Sequence, residues 1–453
     1  MHCDPRFSRV REVFERHFAD GEELGAAFAV YLDGEPVVDL WGGTADRHTG
    51  RPWEADTPAF AYSCTKAITA TVLLQLAERG LVDVTAPVAD VWPEFAARGK
   101  AAITVEHLLT HQSGLPVVED PVPVEEFEDH AAIAARLAGQ APLWEPGTAH
   151  GYHALSYGFL VGEVIRRVTG KSVGELVAAE IAGPLGLELW VGAPDDVIAR
   201  TARLKAGERP RPPGTNGQPG EATATGGPAV TEAAGADIDA GQGGSAPTGA
   251  AQGRAAQGSA AQGSAAQGSA AQGGTAQGSA AQGGAGSEGS RDVLAEMARA
   301  ALDPQSLMNR ALGNPRMQQL KGGANHPLIL RAGWPAAGVV TTARGLAAFY
   351  RSLIAGDLLR PDTLSDAIRR RVSGPDRVLL LDSSFGLGYM RPSTTFMMPS
   401  QTAFGHSGMG GAFGVGDPER GLAIGYVMNK MAGAVSGNLR GLRLVGAVYD
   451  ALR

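Results

Sequence analysis

Apolar residues at Phe7, Val10, Phe14 and Phe18 recur at helical spacing, with arginines and glutamates between them. That spacing predicts an amphipathic surface helix, for which Asp4 suits the N-cap and Pro5 the first position. The period then changes. Phe28-Ala29-Val30-Tyr31-Leu32 and Pro36-Val37-Val38-Asp39-Leu40 flank a turn containing Asp33-Gly34 and read as a β-hairpin over 25–42. From 67 to 200 helical patterns dominate, broken by glycine and proline. Strand signals return at Ala412-Phe413-Gly414-Val415 and at Leu422 to Val427, followed by a loop around Ser436-Gly437 and a final helix through Leu442–Val445. Strands at both ends of a helical middle predict an α+β fold: an antiparallel sheet completed by both termini and flanked by helices, plus a helical subdomain.

Between Gly207 and Ser290 this patterning disappears. Pro, Gly, Ala, Gln and Ser dominate, and from Ala250 to Gly284 the chain repeats Ala-Ala-Gln-Gly-Ser with Gly or Arg as variants at the last place. Such a segment buries too little apolar surface to offset its ordering entropy, so disorder is expected. Its five-residue period is incompatible with collagen. Lengthening a loop from about five to about eighty-five residues costs only roughly 2.5 kcal/mol. One catalytic domain in two parts, 1–204 and 291–453, is therefore expected around an insert at 205–290.

Composition narrows the class. The 453 residues are 44% hydrophobic with a formal net charge of −8, and the pI is near 5.7. That length supports an ample core, and the charge offers no basic surface for nucleic acid. No apolar run reaches membrane-spanning length, and the N-terminal segment lacks the apolar stretch of a signal peptide. A cytoplasmic protein with no nucleic-acid partner and no membrane span is expected. Two cysteines, Cys3 and Cys64, make no disulfide framework.

Candidate chemistry begins at Ser63-Cys64-Thr65-Lys66, which opens an apolar helical stretch, Ala67 to Leu76, stopped by Gly80. Residues three apart share a helix face, so the Lys66 amine can lie against the Ser63 hydroxyl. A desolvated lysine can take the proton that turns serine into a nucleophile, and a helix N-terminus offers N–H groups to an oxyanion. The combination suggests acyl transfer. Cys64 is a rival nucleophile, although its apolar neighbours favour a packed, inert thiol. A second cluster, Glu145 to Ala154, precedes a helical run over Leu155–Val168. Tyr152 there can relay a proton to a leaving group if a nearby ammonium lowers its pKa, with His150 and His153 as competing bases. A third cluster, Gly405-His406-Ser407-Gly408-Met409-Gly410-Gly411, stands before the strand expected from Ala412. Its glycines would let a substrate approach the backbone, with His406 and Ser407 touching polar groups.

Two further patterns point elsewhere. Gly170-Lys171-Ser172-Val173-Gly174 fits an esterase G-x-S-x-G, but the run before it reads as helix rather than strand. Gly170 is better explained as a helix C-cap, and Ser172 with Glu175 as a capping box. His107 and His111, at i and i+4, would share a helical face, yet no glutamate follows His107 and no third zinc ligand is evident.

Taken in order, the three clusters resemble those of the serine β-lactamase and penicillin-binding-protein superfamily. The likeness is greatest to family VIII carboxylesterases, esterases that are similar to class C β-lactamases. It extends through Leu40-Trp41-Gly42-Gly43, Pro87-Val88 to Phe95, Thr104 to Pro116, Gly338 to Leu346 and Phe385-Gly386-Leu387-Gly388-Tyr389. The resemblance implies a β-lactamase-like serine hydrolase fold, a small-molecule ester substrate, and no metal or organic cofactor. Ser63 would be acylated, Lys66 would activate it, and Tyr152 of the Y-x-N element would act as general base with Lys66. The backbone N–H groups of Ser63 and Met409 would form the oxyanion hole. Two positions depart from the β-lactamase pattern: Ala154 replaces the Asn of Y-x-N, and His406-Ser407-Gly408 replaces K-T-G. The departures remove an amide and an ammonium that would hold a β-lactam, while ester hydrolysis needs neither. β-Lactamase, D-aminopeptidase and acyl transferase activities remain alternatives on the same scaffold, as does a non-catalytic binding protein. Ser63, Lys66 and Tyr152 standing together argue against the last.

Overall fold

The computed structural model describes residues 1–206, 295–433 and 438–453; residues 207–290 of the insert expected at 205–290, and the loop around Ser436-Gly437, lie outside the described residues. Helix α1 (Ser8–Ala19) follows a single turn at Pro5–Phe7 that Asp4 caps, its carboxylate accepting the Arg6 N–H. Strands β1 (Gly25–Leu32) and β2 (Glu35–Asp46) form the hairpin. Asp33 and Gly34 both take positive φ, 50° and 88°, as a two-residue turn matched to strand twist requires. Helix α2 (Thr65–Glu78) is buried at every position from Thr65 to Leu76, which is why its sequence is apolar all round. Helices α3 (Ser156–Thr169) and α4 (Ala343–Ala355) follow. A short hairpin comes next, β3 (Val372–Pro375) and β4 (Asp382–Phe385), then strands β5 (Phe404–Ser407), β6 (Phe413–Asp417) and β7 (Leu422–Met428), and finally helix α5 (Leu439–Asp450).

The main sheet runs in the order His2–Cys3, β2, β1, β7, β6, β5, with every neighbour antiparallel. The α+β architecture follows from that order: β7, near the C-terminus, pairs with β1, near the N-terminus, through Tyr426↔Phe28 and Ile424↔Val30. Gly414 and Gly425 are directly opposed on β6 and β7. A Cβ on Gly425 would lie 2.2 Å from Ala343 O, and one on Gly414 2.2 Å from the Tyr350 ring. Only glycine at both places lets α4 press onto that face. The next residues along, Phe413 and Tyr426, face the other way, where Gly441 of α5 lies against the Phe413 ring.

Several expectations are corrected in detail. The third cluster does not lie wholly ahead of its strand: His406 and Ser407 belong to β5 itself, Met409–Gly411 form the turn that follows, and the next strand starts at Phe413 rather than Ala412. The helix carrying His107 ends at Leu109, and His111 takes a left-handed φ of 61°, so the two histidines share no helical face. Gly170 does cap α3 in the left-handed conformation, and Ser172 with Glu175 forms the capping box. The chain stays bound to the end of β7 through Lys205, whose N–H donates to Asn429 O at 2.6 Å. Among the described residues no helix is long and apolar enough to cross a membrane.

Candidate active site

The segment leading to Ser63 is held by a small sheet in which Ala59–Phe60 pairs with Val339–Thr341. Tyr62 then adopts φ 45°, a conformation that costs a bulky residue energy and turns the chain sharply into α2. Thr65 fixes the turn from inside: its hydroxyl donates to Tyr62 O at 2.5 Å and accepts the Val339 N–H at 2.9 Å. Between Thr57 and Leu76 only Ser63 keeps solvent exposure. The sequence folds this stretch so that one hydroxyl alone stays partly open to solvent.

Lys66 is fully buried, and its Nζ lies 3.1 Å from Ser63 Oγ. It also donates to Ala154 O at 2.7 Å and Ala336 O at 3.0 Å. Burial holds its pKa well below the usual lysine value. A neutral amine has two N–H groups and one lone pair. With both N–H groups committed to carbonyls, the lone pair is left for the Ser63 proton.

Tyr152 is also buried, its ring stacked on Phe385 at 6.2 Å and 12°. Burial raises its pKa, and a hydrogen bond with the Ser63 side chain opposes that rise. The ammonium effect foreseen from sequence is absent because Lys66 is itself desolvated, standing over the ring 4.7 Å from its centroid. At rest Tyr152 is therefore a protonated phenol and a proton donor. Its backbone N–H donates to Asp376 Oδ1 at 3.0 Å.

The three histidines divide differently from the sequence expectation. His153 donates from Nδ1 to Gly151 O at 2.6 Å and accepts at Nε2 from Leu115 N–H at 3.1 Å, with Ser113 Oγ at 2.9 Å. Burial lowers its pKa to about 3, leaving a neutral brace for the loop. His150 sits 3.0 Å from Ser383 Oγ. His406, also lowered to about 3 by burial, uses Nδ1 on Ser407 O at 2.8 Å. Its ring centre is 6.1 Å from that of Tyr152. The rival nucleophile Cys64 is buried, its thiol pushed up to about 12, with Sγ 3.6 Å from His406 O. It has no access to substrate and little thiolate.

Beyond β5 the backbone closes on the nucleophile turn. A Cβ on Gly408 would lie 2.2 Å from Ala61 O, so this strand end runs against the residues before Ser63. Met409, the next residue, is half-buried beside it. Ser407 Oγ points to Met390 Sδ at 3.5 Å. Ser63, Lys66, Tyr152, His406 and the Gly408–Met409 backbone are thus gathered at one place. Asp376 and Phe385 were missed by sequence reasoning. Asp376 carries a local turn signature, accepting from the N–H groups two and three residues on. Its bond to Tyr152 spans 224 residues and leaves no mark in the sequence.

The family model for β-lactamase matches residues 10–447. The esterase/β-lactamase LipL of Mycobacterium tuberculosis (strain ATCC 25618 / H37Rv) is 33% identical over 444 residues, covering 95% of this chain and 82% of that protein. Among solved structures, a family VIII carboxylesterase superposes with TM-score 0.74 at 30% identity, covering 100% of this chain and 99% of the other. A penicillin-binding-protein homologue from Caulobacter crescentus gives TM-score 0.73 at 33% identity, with 100% and 99% covered.

Proposed function

The chain belongs to the β-lactamase family, and on that premise we propose that it is a serine hydrolase cleaving small carboxylic esters through an acyl-enzyme on Ser63. The observation that carries this reading is the buried Lys66 amine, held by two carbonyls and aimed at Ser63 Oγ. The esterase names of LipL and of the family VIII carboxylesterase structure support the substrate class.

Lys66 takes the Ser63 proton as Oγ bonds to the ester carbonyl carbon, and the carbonyl π pair moves to oxygen. The N–H groups of Ser63 and Met409 receive that oxyanion; each such donor is worth about 3 to 4 kcal/mol. Collapse breaks the C–O bond to the alcohol, which leaves with the Tyr152 proton, and the Lys66 ammonium restores the phenol. Water then gives a proton to the same pair and attacks the acyl carbon. The acid departs and Ser63 recovers its proton. Ala154 serves this chemistry through its carbonyl, although its side chain offers no amide to a substrate. His406, neutral in its buried setting, supplies no charge for a carboxylate. Esters are accordingly preferred to β-lactams.

Hydrolysis of short- and medium-chain p-nitrophenyl esters by wild type and Ser63→Ala, beside a chromogenic cephalosporin, tests the reading. Ester turnover abolished by Ser63→Ala with little cephalosporin cleavage is expected. Rapid cephalosporin cleavage moves the protein to the β-lactamases. Ester turnover that survives Ser63→Ala sinks the mechanism.

A further inference from the structure

Asp376, in the loop between β3 and β4, is 2% exposed and satisfies four donors. Oδ1 accepts the N–H groups of Tyr152 at 3.0 Å, Val378 at 2.8 Å and Leu379 at 2.9 Å. Oδ2 accepts the Ser383 hydroxyl at 2.7 Å. With that proton spent, Ser383 Oγ can only accept from His150 Nε2, 3.0 Å away. The loop also donates Arg377 N–H to His150 O at 3.2 Å. Between the two anchored residues, a Cβ on Gly151 would come within 2.9 Å of the Trp144 ring and 3.2 Å of both Arg377 Cβ and Val378 Cγ2. Residues 150–152 are therefore pressed flat on this loop and pinned at both ends.

Three of the four donors, Val378, Leu379 and Ser383, belong to the carboxylate's own hairpin and close it. The fourth bond runs to Tyr152 in the segment carrying the phenol, and Ser383 links the carboxylate to His150 of the same segment. From this geometry we propose that Asp376 is a positioning residue for Tyr152, setting the phenol against Ser63 through the Tyr152 backbone, with Ser383 and His150 bracing the carboxylate. The proposal rests on the ester-hydrolase reading only for one of its two assays. Asp376 acts through Tyr152, so its loss should matter only while the phenol is there to be placed.

The test is a double-mutant cycle of Asp376→Ala with Tyr152→Phe, read by the rate of Ser63 labelling with a fluorophosphonate and by p-nitrophenyl acetate kinetics. Circular dichroism fixes the folded fraction of each variant. Asp376→Ala should slow labelling and kcat about 10²-fold, the usual cost of an ångström-scale misplacement, with KM changed less than about threefold. Asp376→Asn, which keeps the Oδ1 acceptor, should recover most of the rate. In the Tyr152→Phe background Asp376→Ala should cost nothing further. Losses that multiply in the double variant, or that match the unfolded fraction, overturn the proposal. If Asp376→Ala does not fold, Ser383→Ala, which removes the hydroxyl bracing Oδ2, runs the same cycle. A wild type that labels at Ser63 but turns over no ester overturns the ester reading and leaves the cycle readable.

Discussion

Lys66 Nζ stands over the face of the Tyr152 ring, 4.7 Å from its centroid, while lying 3.1 Å from Ser63 Oγ. The amine and the phenol therefore meet at the serine, and the base at rest is the amine. Activity should need Lys66 unprotonated. Its pKa is held below the lysine value by burial, so kcat/KM rises with pH through that depressed value and is flat above it. His153 and His406, both near 3, add no limb around neutrality. Lys66→Met should lower kcat/KM by at least about 10³-fold and abolish the acid limb, since general base catalysis supplies rate factors of that size. An unchanged pH profile of the residual activity would refute this assignment.

The buried thiol gives a sharper contrast. Cys64→Ala should keep kcat within about threefold and lose roughly 1 kcal/mol of stability to a small cavity. Iodoacetamide should leave wild type active, because the thiol lies near 12 and is enclosed. Inactivation protected by substrate would restore the cysteine as a candidate.

Gly408 has an ordinary φ of −102°, so space alone demands glycine there. A Cβ would meet Ala61 O at 2.2 Å. Gly408→Ala should push β5 off the nucleophile turn, costing about 1–3 kcal/mol of stability and about 10²-fold in kcat through displacement of Met409 N–H. Full activity in this variant would mean that the Met409 backbone is not in the oxyanion hole.

Far from the site, Glu23 is buried under the Tyr426 hydroxyl and 2.7 Å from the Arg440 guanidinium. Burial raises its pKa from 4.5 to about 7, outweighing the pull of Arg440. Between those values the folded state keeps a proton that the unfolded chain has given up. Stability should therefore fall as pH rises from about 4.5 through about 7, by at most roughly 3 kcal/mol. Urea unfolding of Glu23→Gln should lack this slope; an identical slope in the variant would place the titration elsewhere.

How much of this was written in the sequence depends on distance along the chain. The α1 and hairpin periods, the Ser63–Lys66 spacing and the Ser172 capping box were legible because each is decided within a few residues. His406 was placed ahead of a strand expected from Ala412 although it lies within a strand of its own, since glycines at 405, 408, 410 and 411 mask a β period. They stand there for close packing, which only the neighbours reveal: Ala61 at Gly408, Met431 at Gly410, the β6 backbone at Gly405. The His107–His111 pairing assumed a helix two residues longer than the one that forms. Roles that depend on a partner more than two hundred residues away, such as Asp376 on Tyr152, had no local signal to read.

The two carbonyls that hold Lys66 belong to Ala154 and Ala336, 88 and 270 residues further on, and the Met409 backbone comes later still. A nascent chain that has exposed Ser63 has none of these, so its serine is chemically latent. The hydrolase cannot react with cellular esters until nearly the whole polypeptide has left the ribosome and closed upon itself.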